Sequence, residues 1–373
     1  MRTFVGINKK NLIHNFLEFR RILPNTKISA VVKADAYGHG AALVVKVLDK
    51  YANSFQVDSL REFEEIKNIT KKPIHIFGYL ENSEIQTAVK DGAYISIFSL
   101  SHAKQIDKVA KKKNKKVNAY ITFDAFLGRE GMTKDLLLND VNKICALKNI
   151  NILGMYAHFA NIEDDLSLEH AQKQIKEYNE AFEVLQRNTK NKLQKFISAS
   201  SGAILESASV IEKGDIVRVG IALYGLWPSQ DMQRKYSKKV SILPVMSFET
   251  HVAQVKDLPK GRTISYGLTY TTPKKMKVAV VPVGYSDGYD RRFSNKSYVL
   301  INDNKCPVLG RVCMNMMVVD VSNAGEVKEG DRVVVLGIYK KNTITAEDLA
   351  RIAGSINYEI VTRINTDLPR ILV

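Results

Sequence analysis

Ile28-Ser29-Ala30-Val31-Val32-Lys33 is short, apolar and rich in β-branched residues, and the segment after it, Ala34-Asp35-Ala36-Tyr37-Gly38-His39-Gly40, carries the polar and glycine residues that stop a strand. Runs of the same kind recur at residues 54–57, 74–78, 94–98, 117–122, 152–157, 196–199 and 217–224, with amphipathic stretches of helix length between them. Strands alternating with helices predict parallel pairing through crossover helices. Eight such strands predict a closed parallel α/β (TIM-type) barrel.

After Trp227-Pro228 the rhythm changes. Residues 248–255, 277–283, 298–301, 316–321 and 332–336 read as strands separated by turn residues, with little helix-length periodicity. A β-rich second domain therefore follows the barrel. We place the barrel domain at residues 8–235 and the β domain at 236–373, the latter joined by an N-terminal strand within residues 1–7. Internal repeats and low-complexity tracts are absent from the sequence.

The chain of 373 residues is 45% hydrophobic and 25% charged, as expected of a protein with a full-sized core. Its formal charge of +16 raises the question of nucleic acid. Much of the excess lies in clusters such as Lys111-Lys112-Lys113 with Lys115-Lys116, which have no interleaved aromatic residues on which bases would stack. These read as solvated surface, so neither a nucleic-acid partner nor a membrane surface is expected. Cys145, Cys306 and Cys313 are too few and too dispersed for a disulfide framework or a zinc site, which points to the reducing cytoplasm and to no metal. Nothing resembles an export signal, and nowhere do about 18 apolar residues run together.

Barrel chemistry collects at the C-terminal ends of strands, where loops vary without disturbing the core. That rule selects Lys33, Arg129, His158, Ser200-Ser201, Arg218 and Gly220. A lysine at a strand end is ordinarily a surface charge. Behind Val31-Val32, however, an amine is expected to sit in a partly desolvated place suited to forming a Schiff base. Tyr37 adds a hydroxyl nearby, and the glycines permit close backbone approach.

The segment 31–40 resembles the lysine motif of the alanine racemases, a family of fold-type-III pyridoxal-phosphate (PLP) enzymes. The resemblance runs nearly end to end, through Gly154-Met155-Tyr156-Ala157-His158-Phe159-Ala160, Val217-Arg218-Val219-Gly220-Ile221-Ala222-Leu223-Tyr224-Gly225 and Ile264-Ser265-Tyr266-Gly267. It continues in Gly284-Tyr285-Ser286-Asp287-Gly288-Tyr289, Gly310-Arg311-Val312-Cys313-Met314 and Ile356-Asn357-Tyr358-Glu359. It implies that Lys33 binds PLP covalently and acts as one base, while Tyr266 is the base on the other face of the substrate. The family places that tyrosine in its partner's active site, which implies a homodimer.

By the same resemblance Tyr37, Ser201, the backbone of Gly220 and Ile221, and Tyr358 hold the phosphate. His158 lies against the cofactor ring, Arg218 faces the pyridine nitrogen, Arg129 and the main chain of Met314 take the substrate carboxylate, and Tyr285 lines the entrance. The implied reaction is interconversion of L- and D-alanine, supplying D-alanine for peptidoglycan. Physical chemistry supports these roles. Racemisation needs two proton carriers flanking a planar carbanion. A phenol ionises near pH ~10, so a tyrosine base requires positive charge or hydrogen bonds around it. A guanidinium keeps its proton, so it donates a hydrogen bond to a ring nitrogen without protonating it.

The sequence also departs from the family. Where a carbamylated lysine is common, this chain has Thr122, so Arg129 loses an anionic neighbour. We expect chloride or a nearby carboxylate to replace it. Ser200 stands in place of the usual Asn, Asn315 in place of Asp, and the closing segment reads Asp367-Leu368-Pro369-Arg370. These changes bear on substrate range, and a serine or broad-specificity racemase is the nearest alternative. A PLP-dependent decarboxylase is less favoured because no Gly-Gly-Gly run is present. A non-catalytic PLP-binding protein is less favoured because such barrels lack the β domain.

Overall fold

In the computed structural model, which describes residues 3–165 and 167–373, the strands of the barrel follow the expected runs closely. The first strand of the chain, β1 (Phe4–Ile7), belongs elsewhere, and the barrel is built from β2 (Lys27–Val31), β3 (Ser54–Val57), β4 (Ile74–Ile76), β5 (Tyr94–Ile97), β6 (Val117–Thr122), β7 (Ile150–Tyr156), β8 (Gln194–Phe196) and β9 (Ile216–Val219). They pair in parallel in the order β8-β7-β6-β5-β4-β3-β2-β9. The ring is completed by two backbone bonds flanking β8 and β9, from the Asp215 amide to the Lys195 carbonyl at 2.9 Å and from the Arg218 amide to the Ser198 carbonyl at 3.0 Å. The result is a nearly closed barrel.

Its interior is aromatic. Tyr120, Tyr156, Phe196 and Ile216 are buried together, with Phe77, Tyr94 and Leu153 packed against them. Several runs end earlier than their composition predicts, β8 by three residues at Phe196, and two of these endings open turns. β2 stops at Val31, and Lys33 instead opens the helical turn Lys33–Gly38. β9 stops at Val219, because Gly220 turns the chain (φ −113°, ψ −100°) into the 3-10 turn Ile221–Tyr224. Both departures lie at the rim where the strand-end rule locates chemistry.

The chain divides into this barrel unit, Ile13–Ala36 with Val44–Ile242, and a second unit. The second combines the N-terminal stretch through Leu12 with Tyr37–Leu43 and Leu243–Val373. Its strands are β1, β10 (Met246–His251), β11 (Gln254–Leu258), β12 (Thr263–Ile264), β13 (Tyr270–Thr271), β14 (Met276–Val281), β15 (Tyr298–Ile301), β16 (Asn304–Leu309), β17 (Met317–Asp320), β18 (Arg332–Tyr339), β19 (Asn342–Ile344) and β20 (Arg370–Leu372). The main sheet runs β11-β14-β17-β16-β15-β18-β10-β1-β20, with β19 beside β18 and β12-β13 as a separate pair. β1 lies antiparallel to β10, with Phe4 opposite Glu249, and parallel to β20, with Val5 opposite Arg370.

The run at 248–255 is two strands and not one. β10 pairs with β18 and β11 with β14, and the amides of Val252 and Ala253 between them bond to Asp331 and Val280. A change of partner bends the chain at that point. The helix Ala346–Ala353 is capped by the Thr345 hydroxyl at its start and by Gly354 in the left-handed region at its end.

Burial has an electrostatic consequence in the barrel unit. His102 is 2% exposed, stacks on Tyr79 at 4.9 Å and has no hydrogen bond to either ring nitrogen. Burial pushes its pKa down to about 4. Below its ordinary value near ~6.5 the unfolded chain takes up a proton that the folded chain refuses, so this contribution to stability is lost as the pH falls from about 6.5 towards 4. His102→Phe should therefore lose about 1–2 kcal/mol less stability than the parent between pH 7 and pH 5. Urea unfolding at the two pH values measures the difference, and parallel behaviour of the two proteins would contradict it.

Candidate active site

Lys33 sits on an unusual piece of backbone. After β2 the Val32 amide still bonds to Gln56 at 2.8 Å, and then Ala34, Asp35, Ala36 and Tyr37 take φ values of 52°, 51°, 54° and 55°, followed by Gly38 at 79°. The turn Lys33–Gly38 is thus left-handed, a conformation costing L-residues roughly 1–2 kcal/mol each. Only specific bonds make it persist. Gly38 has no alternative, since a Cβ there would stand 2.2 Å from the Val361 carbonyl oxygen. On the barrel side, Glu62 accepts from the Ala34 amide at 2.8 Å and from the Asp58 amide at 2.6 Å. The Lys33 ammonium pairs with the Asp58 carboxylate at 3.7 Å.

Arg218 projects from β9 into the barrel and is 4% exposed. It donates to the carbonyls of Ala157 at 2.5 Å and Ile197 at 2.7 Å, and to His158 Nδ1 at 3.2 Å. The rings of Phe77, Tyr156 and Phe196 lie 5.4–5.7 Å from the guanidinium carbon, so π faces help to replace its lost hydration. Nη2 has only two protons, and the carbonyls of Ala157 and Ile197 take the shorter bonds, so His158 Nδ1 shares one of them at most. Burial pushes the His158 pKa far down, helped by the charges of Arg218, Arg129 and Lys33. Those four side chains therefore share one end of the barrel.

At the neighbouring strand ends, Ser200 Oγ accepts from the amides of Gly220 at 3.1 Å and Ala222 at 3.4 Å. Ser200 thus braces the turn containing Ile221. Ser201 Oγ donates to Glu163 at 3.2 Å, and burial raises the Glu163 pKa.

Arg129 is half-exposed in the loop after β6, and Glu130 grips it through Nε and, at 2.8 Å, through Nη2. Burial works to raise the Glu130 pKa, but the Arg129 hydrogen bond and charge, with Lys33 contributing, bring it below the usual carboxylate value. A carboxylate therefore stands where the sequence predicts an anion. Thr122 is turned into the barrel, where its hydroxyl bonds to Tyr156 at 2.9 Å.

The remaining candidates belong to the second unit. The rings of Tyr37 and Tyr358 are 6.1 Å apart. Arg370 donates to the Gly38 carbonyl at the end of the left-handed turn, and to the carbonyls of Asn365, Leu368 and Ile364. Tyr266 is 72% exposed, following Ser265, whose φ of 64° and ψ of 179° tip the chain outward. Ser265 Oγ bonds to the Arg311 carbonyl, and a Cβ at Gly267 would stand 2.8 Å from the Arg311 guanidinium carbon, so positive charge flanks the tyrosine's turn. Tyr285 donates its amide to Cys313, and the Met314 carbonyl is taken by the Ser286 amide and hydroxyl. A role for the Met314 main chain thus falls to its amide.

Lys33, Arg129, His158, Ser201, Arg218, Gly220 and Ile221 accordingly lie in the barrel unit, and Tyr37, Tyr266, Tyr285, Met314 and Tyr358 in the second. Asp58, Glu62 and Glu130 escape the sequence reading. Ser59-x-x-Glu62 is a capping-box pattern that a search for charged strand ends passes over, and Glu130 reads as an ordinary loop charge.

Residues 7–228 match the family profile described as "Alanine racemase, N-terminal domain", and residues 245–372 match "Alanine racemase, C-terminal domain". An alanine racemase of Clostridium novyi is 35% identical over 371 residues, covering 98% of this chain and 94% of the relative. "Alanine racemase 2" of Caldanaerobacter subterraneus is 33% identical, covering 100% and 95%. Among solved structures, an alanine racemase of Clostridium difficile 630 superposes with a TM-score of 0.93 at 31% identity, covering 100% of this chain and 96% of that one. The Bartonella henselae alanine racemase, solved with covalently bound pyridoxal phosphate, gives 0.86 at 25% identity, with both chains fully covered.

The ion pair at Arg129 makes a prediction that needs no turnover. Removing the carboxylate in Glu130→Ala should leave the guanidinium to recruit chloride weakly, with Kd ~10–50 mM, adding about 1 kcal/mol of stability at ~200 mM chloride. The parent and the double variant Arg129→Ala/Glu130→Ala should show no such gain over a matched acetate series. Chloride line-broadening in nuclear magnetic resonance checks the same point directly.

Proposed function

Since the chain belongs to the alanine racemase family and interconverts L- and D-alanine with pyridoxal phosphate, we propose that Lys33 and Tyr266 are its two bases, acting from opposite faces of the substrate. The observation that carries this reading is the placement of Lys33: its amine stands at the C-terminal rim of the barrel, within electrostatic reach of His158, as Arg129 and Arg218 are. The residues fit the coenzyme. A buried, permanently protonated donor in an aromatic setting suits an aromatic nitrogen acceptor, and hydroxyls with a braced glycine turn suit a phosphate. Bound PLP supplies an electron-withdrawing ring that makes the substrate's α-hydrogen acidic.

The protein does the rest. Lys33 Nζ binds the coenzyme and carries the proton on one face, with Asp58 at 3.7 Å available to hold the amine in place. Tyr266 Oη carries it on the other, and one base alone would return the proton to the side it left. Arg129 takes the substrate carboxylate on the part of its fork that Glu130 leaves open, assisted by the Met314 amide, while Tyr285 borders the entrance. Arg218 would offer the ring nitrogen a hydrogen bond without protonating it, and neutral His158 would line the ring. Tyr37, Ser201, Gly220, Ile221 and Tyr358 would hold the phosphate.

The working unit in this reading is a homodimer, with residues 8–235 joined by Tyr358 in holding the coenzyme and residues 236–373 with 1–7 presenting Tyr266 to the partner. Exposed Tyr266, Leu268, Tyr285, Met314 and Met316 support it, because a lone subunit rarely leaves so many large apolar side chains in one region of chain to water. The free cysteines Cys145, Cys306 and Cys313 support a cytoplasmic enzyme, and among the described residues no helix is long and apolar enough to cross a membrane.

Subunit mixing tests both points. Lys33→Ala and Tyr266→Phe should each be inactive as homodimers, yet co-refolding equal amounts should restore about a quarter of parental racemase activity, since one site in each mixed dimer regains both bases. No recovery would put the two bases in one subunit. Full activity of Tyr266→Phe alone would remove the tyrosine from the reaction.

A further inference from the structure

Glu62 is the third residue of the helix Leu60–Ile66, whose N-cap is Ser59. In a capping box a glutamate at this position turns back to the N-cap amide. Here it does not. Its two carboxylate oxygens instead accept from the amide of Asp58, one residue before the cap, and from the amide of Ala34, in the turn that follows β2. The side chain is only 9% exposed, so water contributes little to holding it.

The two amides have a common neighbour. Ala34 follows Lys33 directly and is the first residue of the left-handed turn, and Asp58 is the residue whose carboxylate pairs with the Lys33 ammonium. One buried carboxylate thus fixes the peptide on which Lys33 is mounted and the backbone of its ionic partner. The Asp58 carbonyl is in turn held by the Gly78 amide at 2.9 Å, so the anchor point cannot drift.

We propose that Glu62 is the positioning residue of the reaction, holding the left-handed turn at Ala34 so that the Lys33 amine is aimed for proton transfer. The proposal rests on the reading of Lys33 as a base. Relaxation of the turn to right-handed geometry would swing Lys33 away, because an alanine left to itself prefers the right-handed region. The carboxylate is needed because it can accept two hydrogen bonds from two amide donors at once. A glutamine presents an amide NH2 to one of them, donor against donor.

The experiment compares Glu62→Gln, Ser59→Ala and the double variant Glu62→Gln/Ala36→Gly with the parent. Amide exchange at residues 33–38 is followed in protein freed of coenzyme, and kcat and KM for L-alanine are measured in the loaded enzyme. Glu62→Gln should speed exchange at 33–38 by about tenfold or more, leave the far barrel strands unchanged, and lower kcat about tenfold while KM changes less than about threefold. Glycine at position 36, which adopts positive φ without penalty, should restore part of the lost kcat. Ser59→Ala, which removes only the helix cap, should lower Tm without either effect. Should Glu62→Gln fail to fold, Glu62→Asp, which keeps the charge but is too short to span both amides, gives the same reading.

Unchanged exchange at 33–38 in a folded variant would overturn the proposal, as would faster exchange with parental kcat, or a loss that Ser59→Ala reproduces. The exchange readout is independent of the role of Lys33. Persistence of coenzyme absorbance in Lys33→Ala would instead remove the reading beneath it.

Discussion

A guanidinium cannot give up its proton to escape burial, so the barrel around Arg218 has to be arranged to accept a permanent charge. It does so with carbonyls at the ends of β7 and β8 and with the faces of three aromatic rings. The same charge then governs its neighbours. Burial and Arg218 together drive His75 down to about 3 and His158 far below its ordinary range, while burial lifts Tyr156 to about 12. Both histidines and the tyrosine are thus kept neutral at any physiological pH. An interior of this kind exerts one fixed positive influence on whatever lies at the rim and adds no titration of its own.

The rim shows how fixed geometry is obtained from a costly backbone. A run of four non-glycine residues at positive φ is expensive, and it sits directly after the lysine on which the chemistry is proposed to turn. Its two ends are secured by different parts of the chain. Glu62 holds the amide at the start, and Arg370 holds the Gly38 carbonyl at the finish while collecting three further carbonyls. Strain that is clamped at both ends becomes rigidity, which a residue exchanging protons with a substrate requires.

The barrel was legible because its signal is local and repeated: β-branched runs at helix-length intervals announce parallel strands whatever their neighbours do. The rim was less so. Lys33 and the segment 221–224 read as strand because their composition is strand-like, and only Gly38 and Gly220 hint at the turns that override it. In the second unit the run at 248–255 divides because its partners change, which is a matter of sheet order and leaves no mark on composition. The candidate residues followed the same division. Lys33, Arg218 and Tyr266 were selected through motifs, and the anion beside Arg129 was expected from a charge argument, although not its identity. Glu62 was missed because its bond to Ala34 joins residues 28 apart in the chain and leaves no local pattern.

The pairing of β1 with both β10 and β20 has a consequence for biosynthesis. Barrel strands that follow one another in sequence are also neighbours in space, so each can dock soon after it emerges from the ribosome. β1 is translated before any of them, yet its sheet partners are residues 246–249 and 370–372. β1 therefore stays an unpaired edge until residues 246–249 and 370–372 have been made, long after the barrel strands can dock.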